Sequence, residues 1–122
     1  MKVGYHRIYV MQAKIEHLQG VPVVSITGRL DTNTAPLFDA ELAPSLLLVQ
    51  APILLDLTAV TFISSAGLRS ILSLIKHTAA HGGRLGLFSI PNHILEVIEI
   101  CGFSSLVDIY PDRATALQGR IA

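Results

Sequence analysis

From Val10 to Leu18 apolar residues recur singly among polar ones (Val10, Ala13, Ile15, Leu18), and Val21 to Thr27 is β-branched and mostly apolar, with Gln19-Gly20 between the two runs. This pattern predicts two strands joined by a tight turn, a hairpin that opens the domain. Asp31-Thr32-Asn33-Thr34 is a cluster of capping residues, and Ala35-Pro36 places proline in a first helical turn. A helix is therefore expected from about Ala35 to Val49, with Leu37, Leu42, Leu46 and Val49 on its buried face. Pro44 conflicts with it, because an interior proline loses one backbone bond and clashes with the carbonyl of Ala40; a kink or an early stop is expected. Ile53 to Leu57 is short and continuously apolar up to Asp56, the pattern of a strand buried on both faces and hence of the sheet's centre. Thr58 to Ile63 reads as a link.

Ala66 to Ala80 carries apolar residues at Leu68, Ile71, Leu72 and Ile75, with Ser64-Ser65 ahead and Gly82-Gly83 behind, and is the clearest helix in the chain. Arg84 to Phe88 reads as a strand, Pro91 to Ile100 as a helix, Val107 to Tyr110 as a short strand and Asp112 to Gln118 as a last helix. Strand and helix thus alternate after the hairpin, which implies βα units with right-handed crossovers. The expected fold class is α/β: a small mixed, largely parallel sheet of four or five strands with about four helices. No internal repeat, low-complexity tract or linker interrupts it, so residues 1–122 are read as one domain.

Composition narrows the function classes. Nine Lys and Arg balance nine Asp and Glu, and this neutrality argues against a grip on nucleic acid or anionic lipid. Charged residues are 15% of the chain, against roughly 25% in ordinary domains, while 51% are apolar. That surplus suggests a face reserved for a partner. Leu42 to Leu57 is broken by Pro44, Ser45, Gln50, Pro52 and Asp56 and does not read as a membrane span. Met1 to Arg7 lacks the apolar core of an export signal, so a cytoplasmic location is expected. The single cysteine, Cys101, lies among Ile98, Ile100 and Phe103 and is expected to be a packed thiol.

Candidate chemistry is sparse. Ser64 or Ser65 can cap the long helix through a first-turn N–H, and the same helix end would equally seat a phosphate on one of these serines. Asp31 and Asp56 each follow or end a strand, so both carboxylates are expected along the sheet edge that holds Ser65, where open α/β sheets build sites. Structurally, Asp31 could cap the next helix and Asp56 could anchor its own loop. His77 and His81 share a helix face, but no third ligand accompanies them, and no metal is expected. Ser73-Leu74-Ile75-Lys76 matches S-x-x-K without the companion elements of serine acylases. Gly82-Gly83-Arg84-Leu85-Gly86 lies between helix and strand, the reverse of a phosphate loop. The chain reads as poorly equipped for a reaction of its own.

Together, Gly28-Arg29-Leu30-Asp31, the run from Leu54 through Asp56 and Phe62-Ile63-Ser64-Ser65-Ala66-Gly67 to Leu68, and Gly82-Gly83-Arg84-Leu85 resemble the STAS domain, specifically the bacterial anti-sigma factor antagonists, over about Val21 to Leu117. The resemblance implies helices packed mainly on one side of the sheet. It implies phosphorylation of Ser65, or less readily Ser64, by a cognate anti-sigma factor that is also a serine kinase, with a PP2C-type phosphatase restoring the free form. It implies that the unmodified chain binds that partner and releases its client, a regulatory role that agrees with the expectation, from charge and motifs, of no enzyme activity, cofactor, nucleic acid or membrane. Asp31 falls beside the phosphorylation site, Gly67 on the glycine after the loop, and Asp56, Ser64, Ala66 and Leu68 around it. Leu68 and Ile71 are expected to add neutral contact surface. Ser64 departs from the aspartate common just before the acceptor, and Met1 to Tyr9 exceeds a typical start. Two other readings are a non-phosphorylated scaffold subunit, as on an ABC-type transporter, and a nucleotide-binding domain. Retention of Ser65 argues against the first and the missing phosphate loop against the second.

Overall fold

The computed structural model describes residues 11–46 and 52–121. β1 (Met11–Leu18) and β2 (Val21–Leu30) pair antiparallel from Met11 with Gly28 to Leu18 with Val21. The turn between them needs positive φ twice, and Gln19 (54°) and Gly20 (81°) supply it, the geometry that matches the twist of flanking strands. After α1 (Ala35–Leu46) come β3 (Leu54–Ile63), α2 (Ser65–Ala80), β4 (Gly86–Phe88), α3 (Asn92–Ile100), β5 (Asp108–Tyr110) and α4 (Arg113–Ile121). The five strands lie in sequence order, β1-β2-β3-β4-β5, and every pairing after the hairpin is parallel. This is a mixed, largely parallel sheet with β3 at its centre.

Helix α1 continues through Pro44 to Leu46, so the proline does not stop it. The expected last turn to Val49, the burial of Leu46 and Val49, the strand residue Val10 and the stretch Met1 to Tyr9 lie outside the described residues. A larger change concerns Thr58 to Ile63, which is not a link but the second half of β3. The pairing of β2 with β3 slips twice: Ser25–Thr27 faces Asp56–Ala59, and Gly28–Arg29 faces Val60–Phe62. Each slip inserts an extra residue in β3, a bulge that shifts the side-chain alternation.

The sheet buries both faces. On one, Val24, Ile26, Leu30, Leu55, Leu57, Val60 and Leu87 pack with Phe38 and Leu42 of α1, Ile71, Leu74 and Ile75 of α2, and Ile94 and Ile98 of α3. On the other, Val21, Val23, Leu54 and Phe88 pack with Ala116 of α4, flanked by Leu18, Tyr110 and Leu117. Each large side chain withdrawn completely from water contributes roughly 1.5–3 kcal/mol. Two cores in one short chain absorb much of its apolar surplus. Cys101, expected to be packed, is exposed, and its neighbour Ile100 is 84% exposed, because both lie where α3 runs out past its buried face at Ile98. No helix among the described residues is long and apolar enough to cross a membrane.

Candidate functional site

Leu30 ends β2 opposite Ile63, which ends β3, so the residues that follow, Asp31 and Ser64, leave the sheet side by side. The Ser64 N–H donates to the Leu30 carbonyl at 3.0 Å and ties the start of α2 to the end of β2. Ser64 is the cap: its backbone is extended (φ −104°, ψ 178°) and its hydroxyl accepts the Gly67 N–H at a long 3.4 Å. Ser65, one residue on, is the first residue of the helix and is exposed. Of the two serines, Ser64 is thus the cap, and Ser65 is exposed with no side-chain hydrogen bond among the described residues.

Gly67 fixes how closely this turn approaches the sheet. A Cβ there would lie 2.4 Å from the Leu30 carbonyl oxygen, 2.9 Å from Leu30 Cγ and 3.0 Å from Ile63 Cγ1, so only glycine lets α2 begin directly over the two strand ends. Leu68 and Ile71 are buried at 7% and 0% exposure. They hold α2 on the sheet and supply no contact surface, contrary to the expectation from the sequence.

Asp31 is bound into the start of α1. One carboxylate oxygen accepts the N–H groups of Asn33 (3.0 Å) and Thr34 (3.1 Å), and the other accepts Arg29 Nε at 3.1 Å. The Thr34 hydroxyl donates to the Arg29 carbonyl (2.8 Å) and accepts the Asp31 N–H (2.9 Å). Desolvation raises the Asp31 pKa, but the Thr34 N–H, the Arg29 guanidinium and the Asn33 N–H together outweigh it, and the carboxyl stays below its ordinary 3.8. Asp31 is thus an ionised, pre-positioned group at the same corner as Ser65. Arg29 also lies 4.2 Å over the ring of Phe62, its cross-strand partner, which is 40% exposed. His93, on α3, places Nε2 2.9 Å from the Thr61 carbonyl oxygen and links the start of α3 to the same strand end. The sequence offers Arg29 and Phe62 only as parts of longer motifs and does not single out His93; that Arg29 and Phe62 stack depends on the strand pairing.

Asp56 is not at this corner. β3 runs on from Asp56 to Ile63, which at roughly 3.3 Å per residue puts the carboxylate some 20 Å from the strand end. It faces α4 instead, accepting Arg113 Nη2 at 3.2 Å, the Thr58 N–H at 3.0 Å and the Ser25 hydroxyl at 3.4 Å. Desolvation raises its pKa, and the bonds from Thr58 and Arg113 more than reverse this. Asp56 anchors α4 to the second core. Between α1 and α2 runs a cleft of about 340 Å³ lined by Thr32, Pro36, Asp39, Ala66, Arg69 and Ser73.

The STAS domain profile matches residues 12–116, across both cores and the whole of this corner. The chain belongs to the STAS domain family. It is 31% identical over 106 residues to BtrV of Bordetella bronchiseptica, a candidate anti-sigma factor antagonist, covering 87% of this chain and 91% of that one. The fold matches an anti-sigma factor antagonist from Mycobacterium paratuberculosis at TM-score 0.83 and 24% identity, over 92% of this chain and 95% of the other. It also matches SpoIIAA of Bacillus in two states. The unphosphorylated form aligns at TM-score 0.75 and 17% identity over 91% of this chain and 98% of its own. The phosphorylated form aligns at 0.69 and 16% over 91% and 100%. At these identities the structural likenesses speak for the STAS fold alone.

Proposed function

We propose that this STAS domain is an anti-sigma factor antagonist that works by partner switching in the cytoplasm, as a regulatory binding domain and kinase substrate. Unmodified, it binds an anti-sigma factor that is also a serine kinase and so frees the client of that partner. The kinase then transfers the γ-phosphoryl group of ATP to Ser65: a bond forms from Ser65 Oγ to phosphorus, the bond to the β,γ-bridging oxygen breaks, ADP leaves, and the serine proton passes to a base on the kinase. A PP2C-type phosphatase returns the chain to its binding form.

The observation that carries this reading is the exposed Ser65 hydroxyl on the first residue of a helix whose start is held by the Ser64 cap, the Leu30 carbonyl and the close approach of Gly67. A rigid backbone presents the nucleophile, and the free N–H groups of the first turn tolerate the charge that arrives. Phosphate adds about −1.5 to −2 charge. In a docked surface, a like charge or a desolvated phosphate costs several kcal/mol, and every 1.4 kcal/mol or so is tenfold in affinity. Two or three such factors convert binding to release without unfolding the domain.

Incubation with the kinase and ATP, followed by mass spectrometry, tests the proposal. Phosphate on Ser65, missing in Ser65→Ala and coupled to loss of kinase binding, supports it. Stable binding with no phosphate anywhere replaces it with the scaffold reading.

A further inference from the structure

The phosphate on Ser65 would need a counter-charge, and the corner offers a specific one. Arg69 is four residues along α2 from Ser65, and both side chains are exposed. Residues at this spacing are neighbours on a helix surface, and an anion N-terminal to a cation is the favourable order. Helical side chains also lean toward the N-terminus, which carries the long Arg69 chain over the turn that begins at Ser65. The other arginine at the corner is already committed, since Arg29 bonds Asp31 at 3.1 Å and covers Phe62. Arg69 makes no ion pair among the described residues; Asp39 lines the same cleft without forming one. The cleft beside it leaves room for the guanidinium to move.

We propose that Arg69 is the positioning residue for the phosphorylated state: its guanidinium turns from the α1–α2 cleft to the phosphate on Ser65 and holds it on the protein's own helix. This rests on Ser65 being the acceptor. Phosphorylation then changes the docking surface twice, by adding the phosphate and by withdrawing Arg69 from whatever the cleft contacts. A fork of N–H donors suits phosphate oxygens, and the pairing is stronger for the dianion than for the monoanion, so it lowers the second pKa of the phosphoserine.

The test installs phosphoserine at position 65 of the full chain by genetic-code expansion, so no kinase is required, and follows the phosphate by phosphorus NMR as a function of pH. Besides Arg69, the ionisable groups around this corner are Arg29, Asp31, Asp39 on α1 and His93 on α3, and all are retained. Arg69→Gln is expected to raise the second phosphate pKa by about a quarter of a unit relative to the parent, with Arg69→Lys in between. Lys76→Gln, which removes a positive charge farther along the same helix, is expected to leave it unchanged. Equal values for Arg69→Gln and Lys76→Gln overturn the inference. Circular dichroism confirms that each variant is folded. Failure of the kinase to modify Ser65 is a separate result that bears on the proposed function, not on whether Arg69 holds a phosphate placed there.

Discussion

Gly67→Ala tests whether the close approach of α2 to the strand ends is built into the fold. In an open helix site, alanine for glycine stabilises by about 1 kcal/mol. Here the added Cβ would be 2.4 Å from the Leu30 oxygen, where ordinary contact is 3.4–4 Å, so α2 or β2 must give by roughly 1 Å. The obstructing atom is backbone and also accepts the Ser64 N–H at 3.0 Å, so no side-chain rotation relieves it. Overpacking of this kind costs roughly 1–3 kcal/mol and a weakened backbone bond about another 1. After the helix-propensity gain, a net loss of about 2 kcal/mol is expected, or about 8 °C in Tm for a chain of this length. Gly83→Ala is the internal control: its Cβ would meet only the Thr78 oxygen at 3.7 Å, an ordinary contact. Urea and thermal unfolding of both variants measure the difference. A Gly67→Ala protein as stable as wild type, or more so, refutes the argument that this approach dictates glycine.

The two serines should separate cleanly. Ser65→Ala is expected to change stability by less than about 0.5 kcal/mol while removing phosphorylation, whereas Ser64→Ala, which loses a cap with a long 3.4 Å bond, should cost about 0.5–1 kcal/mol and leave the acceptor intact, as read by unfolding and by mass spectrometry. Asp56 has a folded pKa below its ordinary 3.8, so its contribution is complete above that value and is lost as pH falls through the folded pKa. The urea midpoint should therefore decline as pH drops below about 4, and less steeply in Asp56→Asn; Asp31 and Asp112, shifted the same way, keep part of the slope. If the proposed kinase docks at this corner, Phe62→Ala, which removes an exposed ring from the β3 end that leads into Ser64-Ser65, is expected to weaken its binding about tenfold or more with little effect on Tm, measurable by calorimetric titration.

Much of the fold could be read from local pattern. The Gln19-Gly20 turn, the helix behind Ser64-Ser65, the stop at Gly82, where φ is +79°, and the alternation of strand and helix are consequences of residues near in sequence, because turns, caps and amphipathic periods involve only a few neighbours. The loop and helix around Ser65 carried the family resemblance for the same reason. What failed did so where distant segments decide. The second half of β3 shows burial at Leu57, Val60 and Ile63, a spacing of three produced by the bulges against β2, and no test for a period of two finds such a strand. With β3 misjudged, Asp56 was placed at the wrong end of it.

Much of the apolar surplus proves to be internal, because both faces of the sheet are covered, with Leu68 and Ile71 inside and α4 closing a second core, while Phe62, Ile100, Leu106 and Ile109 stay exposed. Which serine caps and which stays free, and that Arg29 lies across Phe62, follow from one bond to Leu30 and the pairing of two strand ends. The sequence by itself determined the order and type of the elements and the motif around Ser65 that carries the family resemblance, since these rest on local chemistry. Only the tertiary structure decided strand length, which faces are buried and which groups surround Ser65, since each depends on contacts between residues some thirty positions apart, which local periodicity does not encode.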